Sequence, residues 1–130
     1  MILVDTSVWI DFFNGYQSKE EQILKSLLKA EEDICLAGIN VMEILQGIKQ
    51  KESFLKTERY LREFPIFAPD LEVYVLASLI FNACQKKGHT VSSTDCLIAA
   101  DAIENDLVLL HKDKDFEYIQ ACTDLQIFPI

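Results

Sequence analysis

Ile2-Leu3-Val4-Asp5-Thr6-Ser7-Val8-Trp9-Ile10 opens the chain with an aliphatic triplet, an acid, two hydroxyl residues and a second apolar run. The triplet predicts a buried strand, and the spacing of Trp9, Ile10, Phe12 and Phe13 predicts a helix directly behind it, ended by Gly15. Asp5 then stands at the carboxyl end of a strand. Open parallel sheets collect their ligands at that edge.

The same unit recurs along the chain. Helical spacing over Glu20 to Ala30 precedes an apolar strand from Ile34 to Ala37. A mostly helical stretch from Val41 to Phe64, with a break near Gln50 to Ser53, is closed by Pro65, and Ile66 and Phe67 form a very short strand. Leu71 to Lys87 carries Leu76, Leu79, Ile80 and Ala83 on one face and stops at Gly88. Asp95 to Asn105 is alanine-rich and helical, Val108 to Leu110 is an apolar strand, and the Phe116 segment and Gln126 to Phe128 supply a last helix and strand. Strands without a polar face, alternating with helices, predict an α/β fold in three layers, a short parallel sheet with helices on both faces.

A chain of 130 residues, half of them hydrophobic, fits one domain spanning 1–130 with a real core. No segment approaches the ~18 uninterrupted apolar residues of a membrane span, and the start lacks the basic region of a signal peptide, so no membrane association is expected. Cys35, Cys84, Cys96 and Cys122 lie far apart among apolar neighbours, which suits buried thiols in a reducing cytoplasm better than zinc or disulfides. The net charge of -9 excludes loose coating of nucleic acid. Attraction for a polyanion would have to be local, from a cation held by acids or from a strip such as Lys49, Lys51, Lys56, Arg59 and Arg62, which reads more simply as a solvated helix face.

Sequence-distant acids fall at strand ends or helix starts: Asp5, Glu43 at the opening of the helix after the second strand, Asp95 at the start of the alanine-rich helix, and Asp113 after Val108 to Leu110. Two carboxylates 4 Å apart repel by about 4 kcal/mol at an effective dielectric near 20, so a cluster of them calls for a cation. Oxygen ligands select magnesium, or manganese, over zinc. Such an ion activates water and steadies a departing oxygen, which makes a phosphodiester the natural substrate. Each acid also has a plainer role. Asp5 fits a helix cap, Asn40 with Glu43 and Ser92 with Asp95 have capping-box spacing, and Asp113 and Asp115 suit a turn before Phe116.

Four segments in order, Val4-Asp5-Thr6-Ser7-Val8-Trp9-Ile10, Asn40-Val41-Met42-Glu43-Ile44-Leu45-Gln46-Gly47, Thr94-Asp95-Cys96-Leu97-Ile98-Ala99-Ala100 and His111-Lys112-Asp113-Lys114-Asp115-Phe116, resemble the PIN-domain nucleases. The likeness is greatest to the VapC-type toxins of toxin–antitoxin pairs. It implies a PIN-like, Rossmann-like fold and metal or metal-water ligands at Asp5, Glu43, Asp95 and Asp113, with Asp115 secondary and a hydroxyl of Thr6 or Ser7 holding a coordinated water. It further implies magnesium-dependent endoribonuclease cleavage of RNA leaving a 5′-phosphate and a 3′-hydroxyl, a homodimer, and an antitoxin whose tail fills the active-site groove. The family commonly has a hydroxyl residue where His111 and Asn40 stand. His111 could hydrogen-bond Asp113 or a phosphate, or simply end a strand; Asn40 can cap a helix.

Competing readings fit less well. A dehalogenase-type phosphatase wants a second acid where Ser7 stands. A receiver domain wants paired early acids and a late lysine, for which only Lys112 is available. An interaction module of the same fold without catalysis would not need all four acids.

Overall fold

Leu3, Cys35 and Leu109 pack on one side of a sheet, and Val4, Leu36 and Leu110 on the other, the alternation that an extended backbone imposes. The computed structural model describes residues 1–130. Its strands are β1 (Ile2–Val4), β2 (Ile34–Ala37), β3 (Ile66–Phe67), β4 (Val108–Leu110) and β5 (Gln126–Ile127). Its helices are α1 (Thr6–Asn14), α2 (Lys19–Lys29), α3 (Gly38–Gln46), α4 (Lys51–Leu61), α5 (Leu71–Lys86), α6 (Ser93–Glu104) and α7 (Asp115–Cys122).

The five strands run in the order β3-β2-β1-β4-β5, and every pairing is parallel. Leu3 lies opposite Cys35 and Leu109, so β1 is central and its end, Asp5, is flanked by the ends of β2 and β4. Helices α1 to α4 cover one face through Val8, Trp9, Leu24, Ile44 and Leu61, while α5 to α7 cover the other through Ile80, Ile98, Phe116 and Ile119. This is the expected three-layer α/β arrangement. Each such side chain, fully buried, contributes about 1.5–3 kcal/mol, and the site inherits its rigidity from that packing. No helix is long and apolar enough to cross a membrane.

Local chemistry sets the helix boundaries. Asp5, Ser18, Asp70 and Ser92 each accept a backbone N–H in the first turn of the helix that follows. Gly15 ends α1 with φ at 70°, a left-handed conformation that costs a residue with a Cβ far more than glycine. Several boundaries shift from the sequence-based expectation, and two of the shifts bear on the site. The break in the 41–64 stretch falls earlier, between Gln46 and Lys51. Helix α3 starts at Gly38 rather than Val41, because the Asn40 side chain reaches back to accept the Ala37 N–H at 2.9 Å. Glu43 therefore sits in the middle of α3 and is no partner in a capping box.

Candidate metal centre

Asp95, Asp113 and Asp115 each place a carboxylate oxygen within 4.8 Å of the other two. Asp95 lies in the first turn of α6, Asp113 in the loop after β4, and Asp115 is the first residue of α7. The Ser92 hydroxyl accepts the Asp95 N–H at 3.1 Å, so serine caps α6 and the Asp95 carboxylate stays available. Asp113 accepts the Asp115 N–H at 2.9 Å, and Asp115 accepts the Ser92 N–H at 3.2 Å. The two aspartates of the loop thus serve as turn and cap residues and as pocket walls at once. Asp115, secondary by sequence, stands inside the cluster.

Asp5 is 5 % exposed and faces the same edge. One of its oxygens accepts the Ser7 N–H at 3.2 Å and the Ser7 hydroxyl at 2.6 Å, which caps α1 and leaves the other oxygen free for a ligand. Glu43 is joined to this edge through the residue after Asp5. The Thr6 hydroxyl donates to Glu43 at 2.8 Å and accepts from the Asn40 amide at 2.9 Å. Asn40 is fully buried, so the direction of this chain is fixed: the amide can only donate to Thr6, and the one hydroxyl proton goes to Glu43. The hydroxyls of Thr6 and Ser7 are both engaged by acids.

Burial pushes Asp95 up to about 8, and the charges of Asp113, Asp5 and Asp115 add to it. Burial also raises Asp5, helped by Asp113 and opposed by bonds from Ser7 and Thr6. At neutral pH the cluster alone therefore retains a proton, and a divalent cation would take that proton's place. The three donors of the cluster, from Asp95, Asp113 and Asp115, are carboxylate oxygens within mutual reach of one ion, while Asp5 and Glu43 stand outside that triad; oxygen donors of this kind fit magnesium or manganese.

His111 stands on the same edge, its ring centroid 5.1 Å from that of Phe116 and its Nδ1 buried without a hydrogen-bond partner. Burial lowers its pKa against the opposing pull of Asp5, Glu117 and Asp113, which keeps the imidazole neutral near pH 7. Lys112, the only lysine a receiver-type site could have used, turns away from the acids to pair with Asp11 at 2.5 Å. Asp11 carried no signal of its own in the sequence; its partner lies about a hundred residues along the chain.

The basic strip divides. Lys49, Lys56 and Arg59 border a groove of about 820 Å³ beside Phe12, Phe13 and Tyr60, while Arg62 bonds Glu58 on another face. The aromatic stripe divides as well. Trp9 is fully buried among Phe12, Phe13, Tyr60 and Phe64, whereas Tyr16 is 63 % exposed. The four cysteines are free thiols, three of them buried.

A parallel sheet with an acid cluster outside the carboxyl ends of its strands defines a Rossmann-like α/β domain whose acids could hold a cation. The family model described as PIN domain matches residues 2–121, and the chain belongs to that family. Within it the likeness is to VapC proteins. Ribonuclease VapC11 of Mycobacterium tuberculosis is 35% identical over 129 residues, covering 97% of this chain and 96% of the relative. Among solved structures, VapBC2 from Rickettsia felis bound to a promoter DNA fragment superposes with a TM-score of 0.79 at 22% identity, covering 98% of each chain. FitAcB from Neisseria gonorrhoeae gives 0.78 at 23% identity, over 99% of this chain and 97% of that one.

Proposed function

We propose that the protein is a magnesium-dependent endoribonuclease, with manganese able to substitute, and the toxin of a toxin–antitoxin pair. The observation that carries this reading is the convergence of Asp95, Asp113 and Asp115 within 4.8 Å, beside Asp5, in a chain 35% identical to a VapC ribonuclease. Asp5, Asp95 and Asp113 would hold the ion directly, Asp115 and Glu43 directly or through water. When bound, the ion supplies a more acidic water and charge neutralisation for a phosphodiester undergoing in-line attack.

The chain's own residues prepare that site. Ser7 orients Asp5, and Asn40 through Thr6 orients Glu43, so each acid presents a defined oxygen to the pocket. Neutral His111 would donate a hydrogen bond to a phosphate oxygen without competing for the cation. Lys49, Lys56 and Arg59 provide local positive charge on an otherwise acidic surface.

Similar solved structures include a toxin–antitoxin complex from Klebsiella pneumoniae and VapBC-5 of Mycobacterium tuberculosis, a member of a family of toxin–antitoxin systems, which supports an antitoxin partner for this chain. The same reading places the protein in the cytoplasm, as a homodimer, acting on RNA to leave a 5′-phosphate and a 3′-hydroxyl.

The test compares purified wild type with Asp5→Asn and Asp113→Asn. Both variants should keep the wild-type circular dichroism spectrum and lose magnesium-dependent RNA cleavage by more than about 100-fold, beyond the 10–100-fold typical of changes outside the ligand shell. A chelator should abolish wild-type cleavage and added magnesium should restore it. Undiminished cleavage by both variants rejects the assignment.

A further inference from the structure

We propose that Asp11 and Lys112 form a latch that holds the loop after β4 where Asp113 can reach the acid pocket, which makes both of them positioning residues. The proposal rests on the metal-dependent reading above for its purpose, and on contacts alone for its mechanics.

Residues 111–114 have no regular secondary structure, and Asp113 is exposed. Yet Asp113 must be held within reach of Asp95 on a different helix. Most contacts of the loop cannot do this, because they are internal to the loop and α7. The Asp115 N–H bonds Asp113, and the His111 ring leans on Phe116. Such contacts move with the segment. Ser92 ties the start of α7 to the cap of α6, on the α5–α7 side of the sheet.

Lys112 supplies the anchor on the other side. Its ammonium crosses to Asp11 in α1, 101 residues away, and lies 5.1 Å from the centroid of the Tyr16 ring. Asp11 is buried, with 12% of its side chain exposed, and Lys112 lies at the surface with 29% of its side chain in solvent. The anchor point is itself fixed. The same Asp11 oxygen accepts the Ser18 hydroxyl at 2.7 Å, and that hydroxyl accepts the Glu21 N–H at 3.1 Å as the cap of α2. Lys112 and Ser18 hold the Asp11 carboxyl below its ordinary range against the effect of burial, and Asp11 holds the Lys112 ammonium above its own. Each partner stabilises the charged form of the other.

The position of Lys112 makes the latch consequential. It is the immediate neighbour of Asp113, and one bond on its side chain sets how far the loop can swing from the pocket. Charge-assisted, buried on its Asp11 side and tied to a helix cap, that bond joins the α1–α2 corner to the acid cluster across the edge of the sheet.

The experiment uses the full chain, with manganese as probe. Manganese binding is measured by electron paramagnetic resonance, and backbone amide exchange over residues 111–115 is measured without metal. Asp11→Asn and Lys112→Gln should each weaken manganese binding roughly 10-fold, the low end of the range seen when groups supporting metal ligands are removed. The double variant should be no worse than either single one, because both break the same contact. Lys112→Arg, which keeps charge and reach, should bind nearly as wild type. Exchange over 111–115 should quicken in both single variants while the melting temperature changes little. Unchanged exchange in the loop overturns the latch, and so does weakened binding by Asp11→Asn without weakening by Lys112→Gln. A wild type that takes up no manganese defeats the functional reading instead, and loop exchange in the metal-free protein then still decides the latch.

Discussion

Asp101 is 1 % exposed in the last turn of α6, and neither of its carboxylate oxygens meets a hydrogen-bond partner. Burial, reinforced by the charge of Asp70, raises its pKa from 3.8 to about 6. The folded state thus favours the protonated acid, and folding takes up a proton between those values. Stability from this residue is intact below pH 4, declines as pH rises through 6 and is constant above it. A shift of about two units corresponds to about 3 kcal/mol. Asp101→Asn removes the ionisation at similar shape, so it should leave stability near pH 4 almost unchanged and raise it near pH 7 by up to that amount. Urea unfolding at the two pH values measures this; equal differences at both would show that Asp101 does not titrate in the window. Asp101 was invisible in the sequence for a physical reason. An acid within an alanine-rich helix reads as its solvent face, but α6 is covered on nearly every side, with Ile98, Ala99, Ala100 and Ala102 all buried.

At the scale of elements, Ser92 connects two helices that bear acids. Its hydroxyl caps α6 at the Asp95 N–H, and its own N–H donates to Asp115 at the start of α7. Ser92→Ala removes the first bond and keeps the second, so it should lower stability by about 1 kcal/mol, whereas Ser92→Gly should cost only a few tenths more than wild type at the cap itself. Thermal unfolding of the two variants resolves the difference; equal stability of Ser92→Ala and wild type would remove the cap from the account. The spacing of Ser92 and Asp95 was readable because a cap is a local event, three residues long. The corresponding reading of Asn40 and Glu43 failed because the true start of α3 has alanine at the cap position, and the compensating bond comes from Asn40 inside the helix. The end of β1 was readable because its aliphatic run stops at the charge of Asp5. The Asp11 to Lys112 contact was not, since no local pattern joins residues in different layers.

For the whole molecule, alternation of apolar strands with amphipathic helices was enough to anticipate three layers, and strand ends and helix starts together pointed to Asp5, Asp95 and Asp113 on one edge. What alternation does not reveal is which outer faces remain open. Helix α5 turns Val73, Ala77, Ile80 and Cys84 into the core, and on its opposite side Leu71, Tyr74, Val75 and Leu79 are between 48% and 73% exposed. An apolar stripe two turns long is unusual on a monomer's surface. In the homodimer proposed above, this stripe is the face we assign to the second copy. A two-fold interface uses the same patch twice, so one substitution acts on both sides of it. Leu79→Glu would set two carboxylates into that contact while leaving the monomer core untouched, because Leu79 is 59% exposed. Replacing apolar burial with charge on both copies should weaken self-association by at least about 3 kcal/mol, roughly 100-fold in the dissociation constant. Sedimentation velocity at micromolar concentration should then show wild type as a dimer and Leu79→Glu as a folded monomer. A wild type that sediments as a monomer throughout, or a variant that remains dimeric, would show that α5 does not hold two copies together.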